Sequence, residues 1–142
     1  MRLTIRPAAP EDEPSVVELW RTCDLVASYN DPNADFRFAR AGVCSDVLIG
    51  KDEIGHICGS VMVGHDGHRG WLYYVASTPR ARSSGIGRQM VQAAEEWLRQ
   101  RGVVKVQLLV RETNTKVVSF YEHLGFEVAP RVVMSKWLGQ PG

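Results

Sequence analysis

The chain has 142 residues, of which 44% are apolar and 23% are charged, and its formal net charge is +1. These values are typical of one globular domain, taken here as residues 1–142, and they exclude a disordered chain or a fibrous repeat. The small net charge gives no support for a nucleic-acid-binding surface. Apolar runs are far shorter than the roughly 20 residues that a membrane helix needs.

The amino terminus and the cysteines indicate where the protein works. Residues 1–7 contain neither the apolar core nor the small-residue cleavage site of a signal peptide. The three cysteines are an odd number without CxxC spacing, which argues against a disulfide framework and a zinc ribbon. We therefore expect a cytoplasmic protein with reduced thiols.

The first half of the chain predicts a strand, two helices and three antiparallel strands. Residues 3–5 alternate as a short strand, and the acidic, proline-containing residues 10–14 precede a helix through residues 16–23. Turn-forming residues fill 28–35, so the second short helix is expected only around residues 36–41. Apolar segments between polar turns predict the three strands at residues 47–50, 57–63 and 71–77.

The second half predicts helices alternating with single strands. A loop rich in glycine and serine leads into a long amphipathic helix that starts near Ile86 and ends at Gly102. A strand at residues 104–110, a helix at 116–123 and a last strand at 132–137 follow. The order β-α-α-β-β-β-α-β-α-β, without an internal repeat, indicates a mixed α+β domain.

The loop before the long helix, residues 75–88, is the main indication of ligand binding. Its small residues let backbone N–H groups converge at a helix amino terminus, where the helix dipole also favours an anion. Gly85 and Gly87 leave room for a diphosphate, and Arg82 and Arg88 supply positive charge. Neither GxxxxGK[ST] nor GxGxxG is present, which argues against nucleotide hydrolysis and dinucleotide binding. A loop that only turns the chain is the alternative.

Two motifs resemble those of the GNAT acetyltransferases. Residues 82–87, RSSGIG, match the (Q/R)xxGx(G/A) pyrophosphate loop of that superfamily. Asn114, Tyr121 and the glycine-aromatic turn at residues 125–126 match its downstream NxxxxxxY element in order and spacing. The similarity spans nearly the whole chain. It is greatest to the small bacterial YpeA-type and ribosomal-protein-alanine-acetyltransferase-like members.

The resemblance implies a fold and an activity. The fold would be a single GNAT-like α+β domain with a mixed, mostly antiparallel sheet of six to seven strands and about four helices. The activity would be transfer of the acetyl group of acetyl-CoA to a primary amine by direct attack in a ternary complex. The partners would be acetyl-CoA and the amine, with no nucleic acid or membrane, and a homodimer is left open. A non-catalytic acyl-CoA-binding sensor or interaction module is the alternative function.

The resemblance also assigns roles to individual residues. Tyr121 would protonate the departing thiolate, for which its reference pKa of about 10 is suitable, and a core aromatic beside Phe120 and Phe126 is the alternative. Asn114 would bind the pantetheine arm. The other cosubstrate-binding residues would be the backbones of Val75, Ala76 and Ser77 along the pantetheine, and Arg82, Ser83, Ser84, Gly85, Ile86 and Gly87 around the pyrophosphate.

The general base of the family has no counterpart at the matching position of this chain. The strand position that carries a glutamate in the alanine-acetyltransferase-like members, twelve residues before Tyr121, is Leu109. We expect His68, with a reference pKa of about 6.5, or a water molecule near it, to accept the amine proton. Glu112 lies close to Leu109 in the sequence, and His65 and Asp66 lie close to His68, just before the strand at residues 71–77. An ordinary exposed loop histidine is the alternative for His68.

Two further groups of polar residues could contact a ligand. His65 and His68 with Cys58 fit no zinc motif, so no metal site is predicted. The acceptors of the family usually enter at the loop between the first two helices, where this chain has Tyr29, Asn30, Asp31 and Asp35. Ordinary turn chemistry explains Asn30 and Asp31 equally well.

Overall fold

A computed structural model of the chain describes residues 1–81 and 84–139. The strands are β1 (Thr4–Pro7), β2 (Ser45–Lys51), β3 (Ile57–His65), β4 (Gly70–Ser77) and β5 (Val106–Gln107). The helices are α1 (Glu13–Thr22), α2 (Pro32–Ala39), α3 (Ile86–Arg99) and α4 (Thr115–His123), with 3-10 turns at Pro10–Asp12 and Pro79–Ala81. The strands form one sheet in the order β1-β2-β3-β4-β5, antiparallel except for the parallel pair β4 and β5.

The sheet carries an apolar core on each face. Val47 and Ile49 of β2 pack in one cluster with α1 and α2, whereas Leu48 between them packs in the other cluster with α3. This division follows from the strand geometry, because successive side chains point to opposite faces. The result is a three-layer α+β domain, and the predicted antiparallel strands and the four helices are confirmed.

Helix α2 begins four residues earlier than predicted. The Asp31 carboxylate accepts a hydrogen bond from the backbone N–H of Ala34 at 3.1 Å, and Pro32 occupies the first turn. Residues that form turns are also those that cap helices and open their first turn. The segment read from composition as a turn is therefore the start of a helix.

The last predicted strand, residues 132–137, does not form, so the described residues make five strands rather than six to seven. Of the strand expected at residues 104–110, only Val106–Gln107 pairs with β4. This short β5 offers little edge for another strand, and Val132 and Met134 remain 87% and 90% exposed. Because strand-favouring residues form a strand only against a paired neighbour, composition alone gave the wrong prediction.

Candidate active site

Strand β4 contains a bulge near its carboxyl end. Ser60 of β3 pairs with Ala76 and Met62 pairs with Tyr73, so Tyr74 and Val75 together face one residue of β3. Tyr74 has a φ of 51°, a left-handed conformation that is uncommon for a bulky residue. Bulges of this kind bend a strand and redirect its side chains, often beside active sites.

Buried side chains from two elements hold the bulge in place. The Trp20 indole N–H donates to the Ser60 hydroxyl at 2.9 Å, and that hydroxyl donates to the carbonyl oxygen of Tyr74 at 3.1 Å. The Tyr74 ring stacks on Trp20 with centroids 3.9 Å apart and an interplanar angle of 9°. Ser60 is fully buried and out of reach of water. These hydrogen bonds therefore replace the ones that water makes with the same groups in the unfolded chain.

Replacing Ser60 by alanine is expected to lower the free energy of unfolding by about 1–3 kcal/mol, because the substitution removes the acceptor of the buried Trp20 N–H and the side-chain donor to the Tyr74 carbonyl. Denaturant unfolding of wild type and variant measures the difference. The control is Ser119→Ala on the exposed surface of α4, which should change stability by less than about 0.5 kcal/mol. Equal effects of the two substitutions would contradict the role of Ser60.

The carboxyl half of β4 has an open edge. The neighbouring β5 pairs with β4 only at Gly70 and Trp71, so residues 72–77 have no described strand on that side. Val75, Ala76 and Ser77, the predicted pantetheine-binding residues, lie within this unpaired stretch. Their free backbone groups can pair with an extended ligand, as a sheet edge does with an added strand.

Helix α3 begins near the carboxyl end of β4, because a Cβ on Gly59 of β3, which pairs with Ser77, would lie 2.6 Å from the Ile86 side chain. Gly85 is its N-cap with a φ of 79°, and no side chain of the described residues caps the helix. Among the described residues nothing lies within 4 Å of a Cβ built on Gly85, whereas a Cβ on Gly87 would lie 3.1 Å from the Phe120 ring. The start of α3 therefore has N–H groups free for an anion, and Gly87 lets α4 pack closely. Ser84 and Ile86 flank Gly85, while the predicted ligands Arg82 and Ser83 lie outside the described residues.

Asn114 and Tyr121 share one helix. Asn114 is the exposed N-cap of α4, and Tyr121 follows seven residues later, on the same side of the helix two turns away. Tyr121 packs against the α3-side core, which includes Ile86 of the glycine-containing motif. The two motifs that were recognised separately in the sequence therefore meet on one face of the sheet.

Tyr121 has an apolar environment. Its ring makes edge contacts with Phe120 and Phe126, with centroids 5.0 and 5.5 Å away. This burial raises the pKa of Tyr121 to about 12, because the phenolate is less well solvated than in water. The hydroxyl is therefore protonated at neutral pH, as a proton donor must be, although the same contacts would also suit a core aromatic.

A cavity of about 420 Å³ lies on the opposite face of the sheet, between α2 and the β4 bulge. Its wall is mostly apolar and aromatic, and the carboxylate of Asp35 is its ionisable acid. The Tyr74 hydroxyl donates to Asp35 at 2.7 Å. The residues that line the cavity include Leu25, Asp35, Phe38, Met62, Tyr73 and Tyr74.

His68 is remote from the β4 bulge. It lies exposed in the turn before β4, whereas Tyr74 is four residues into that strand, roughly 13 Å from its start. Asp66 organises this turn by accepting from the backbone N–H groups of His68 and Arg69, and these bonds lower the pKa of Asp66 to about 2. Leu109 follows β5 and is 54% exposed. The structure thus brings the cosubstrate motifs together but leaves His68 apart from them.

Sequence reasoning missed Ser60 and Tyr74. A single polar residue inside the apolar segment at residues 57–63 was a signal for Ser60, since buried hydroxyls usually have a structural partner. Tyr74 had no local signal, because its contacts with Trp20 and Asp35 join distant parts of the chain.

Two negative findings apply to residues 1–81 and 84–139. They contain no helix long and apolar enough to cross a membrane. They also bring together no group of three or more His, Cys, Asp or Glu side chains suited to a metal ion.

Comparison with known proteins identifies the family. Residues 11–126 match the model of the acetyltransferase (GNAT) family, so the chain belongs to that family. It is 36% identical over 136 residues to an acetyltransferase of Pectobacterium atrosepticum, covering 96% of both chains. It is also 35% identical over 132 residues to an acetyltransferase of Sodalis glossinidius, covering 93% of this chain and 92% of that one.

Solved structures agree on the fold. The protein AAC(6')-Iy, solved with the bisubstrate analog CoA-S-monomethyl-acetylneamine, superposes with a TM-score of 0.82 at 18% identity, covering 96% of this chain and 99% of that one. The ribosomal-protein-S18-alanine N-acetyltransferase of Escherichia coli gives 0.74 at 21% identity, covering 91% and 80%. At these identities the likeness concerns the fold alone.

Proposed function

We propose that the protein is an acetyl-CoA-dependent N-acetyltransferase, which transfers the acetyl group to a primary amine by direct attack in a ternary complex. The observation that carries the proposal is the open edge of β4 beside the uncapped start of α3. One feature suits an extended amide-containing arm, and the other suits a diphosphate. Their adjacency matches the chemistry of CoA, and AAC(6')-Iy, which shares this fold and was solved with a CoA bisubstrate analog, supports the same ligand.

Different residues of the proposed CoA site bind the pantetheine arm and the pyrophosphate. The backbones of Val75, Ala76 and Ser77 pair with the pantetheine arm. Ser84 to Gly87 offer N–H donors and space to the pyrophosphate, together with Arg82 and Ser83 by the motif they share with the family. Asn114, at the start of α4, hydrogen-bonds the pantetheine from the other side of the open edge.

The proposed chemistry needs a polarised carbonyl, a neutral amine and a proton for the leaving sulfur. A backbone N–H near the β4 bulge polarises the thioester carbonyl as the amine nitrogen attacks its carbon. As the carbon–sulfur bond breaks, Tyr121 gives its hydroxyl proton to the sulfur. The amine nitrogen loses a proton to a base or to water, and a proton from solvent returns to the Tyr121 phenolate, so charge and protons balance over the reaction.

His68 stays the proposed acceptor of the amine proton, and its position sets a condition on that role. Because it lies in the turn at the opposite end of β4 from Val75, Ala76 and Ser77, the proton must reach it through water. His68→Ala should then lower kcat/KM by about 10²-fold. A wild-type kcat/KM for His68→Ala would show that His68 is an ordinary turn residue.

A non-catalytic acyl-CoA sensor is the second candidate function. The observation that favours it is Leu109, which places an exposed apolar side chain where the alanine-acetyltransferase-like members carry a glutamate. Calorimetric titration with acetyl-CoA tests the part that both functions share, and we expect saturable binding with one molecule per chain. The absence of binding by a folded sample would contradict both functions.

A further inference from the structure

We infer that the cavity between α2 and β4 binds the acceptor, and that this acceptor is a small primary amine with an apolar body and no carboxylate beside its ammonium group. The inference rests on the proposed function and names the substrate class. It is carried by the chemistry of the cavity wall, which combines the carboxylate of Asp35 and the amide of Asn30 with aromatic and aliphatic side chains.

The carboxylate of Asp35 supplies the charge that an ammonium group requires. Its Oδ2 atom accepts from the Tyr74 hydroxyl at 2.7 Å, which fixes the carboxylate at the cavity wall. Within the described part of the chain, no Lys, Arg or His nitrogen forms an ion pair with Asp35. The charge therefore remains available to a ligand, and a second carboxylate on that ligand would be repelled.

The rest of the wall suits an apolar body. Leu25, Phe38 and Tyr73 are 37%, 91% and 47% exposed and lie together around the cavity, so their apolar surface is accessible to a ligand. Aromatic rings also attract a cation placed over their faces. A ligand that brings an ammonium to Asp35 and an apolar group to these side chains satisfies both properties at once.

The position of the cavity agrees with acetyl transfer. Tyr73 and Tyr74 line the cavity from the bulged part of β4. The open edge of the same strand is the proposed pantetheine site. The bulge is held by Trp20 and Ser60, so the tyrosines and Asp35 keep a fixed relation to the open edge. An amine held at Asp35 therefore lies beside the strand that would hold the thioester.

The test measures binding of amines separately from turnover. The probes are 2-phenylethylamine, L-phenylalanine, which adds a carboxylate, and L-phenylalaninamide, which has the shape of phenylalanine without that charge. Wild type should bind 2-phenylethylamine and phenylalaninamide at least about 10-fold more tightly than phenylalanine. Asp35→Asn keeps the size of the side chain and an oxygen for Tyr74, and it should reduce this discrimination to about 3-fold or less.

The matched control is Asp24→Asn. Asp24 is an exposed acid next to Leu25 in the chain, and its φ of 57° suits asparagine equally well. The same change of charge there should leave the discrimination at the wild-type value. Tyr74→Phe, which removes the hydroxyl that orients Asp35, should give an intermediate value.

The outcomes separate the inference from the proposed function. If the preference for the amines without a carboxylate depends on Asp35 but no acetyl transfer is detected, the inference is supported and the proposed enzyme activity is contradicted. If acetyl transfer occurs and wild type and Asp35→Asn show the same preference, the enzyme activity is supported and the inference is overturned. Tighter binding of phenylalanine than of phenylalaninamide by wild type, or no binding of any of the three amines, would also overturn it.

Discussion

Tyr121→Phe is expected to lower kcat by about 10²- to 10⁴-fold while leaving the affinity for acetyl-CoA unchanged. The size is that of a lost general acid. The hydroxyl is needed only when the carbon–sulfur bond breaks, so its removal raises the barrier without weakening the ground-state complex. Single-turnover kinetics measure the chemical step, and calorimetry measures the affinity for acetyl-CoA.

The same substitution also separates the two interpretations of Tyr121. Phenylalanine retains the ring contacts with Phe120 and Phe126, so the variant should keep the thermal stability of wild type within a few degrees. A core aromatic would behave differently in the kinetics, because its hydroxyl would be dispensable. An unaltered chemical rate would therefore indicate that Tyr121 only packs in the core.

Gly85→Val is expected to weaken acetyl-CoA binding by about 10²-fold or more. The space that a side chain at this position would enter is open, and it adjoins the N–H groups at the start of α3. A valine there would keep the pyrophosphate from these donors, and each hydrogen bond to a charged group contributes about 1.5–3 kcal/mol. Calorimetric titration of the folded variant with acetyl-CoA measures the loss.

Gly102→Val is the matched control for backbone strain. Gly102 has a φ of 78°, against 79° for Gly85, and a side chain there would also meet nothing within 4 Å. Both variants should lose about 1–2 kcal/mol or more of stability, because a left-handed conformation is costly for a residue with a Cβ. Only Gly85→Val should lose acetyl-CoA affinity, so equal affinities for the two variants would overturn the proposed pyrophosphate site.

The parts of the fold that sequence reasoning predicted correctly have strong local signals. Helix α3 has a full apolar stripe and a glycine beyond its end, and the hairpin of β2 and β3 has apolar segments around a polar turn. The spacing of seven residues between Asn114 and Tyr121 similarly predicts that both lie on one side of a helix. In these cases the chain within a short window determines the structure.

The features that were missed depend on distant parts of the chain. The bulge in β4 is visible only in its register with β3, and the hydrogen bond from Tyr74 to Asp35 joins residues 39 positions apart. The expected strand at residues 132–137 had suitable composition, yet its formation depends on an edge that the short β5 does not provide. Periodicity carries no information about such partners.

The most direct test of the proposed function is the release of free thiol from acetyl-CoA in the presence of amines. The panel should include alkyl- and arylalkylamines, polyamines, amino acids, aminoglycosides and peptide amino termini, with hydrolysis in the absence of amine as the baseline. We predict thiol release that depends on the amine and is matched, mole for mole, by N-acetylated product. Saturable binding of acetyl-CoA, with thiol release at the baseline for every amine, would contradict the proposed acetyltransferase activity and favour the non-catalytic acyl-CoA sensor.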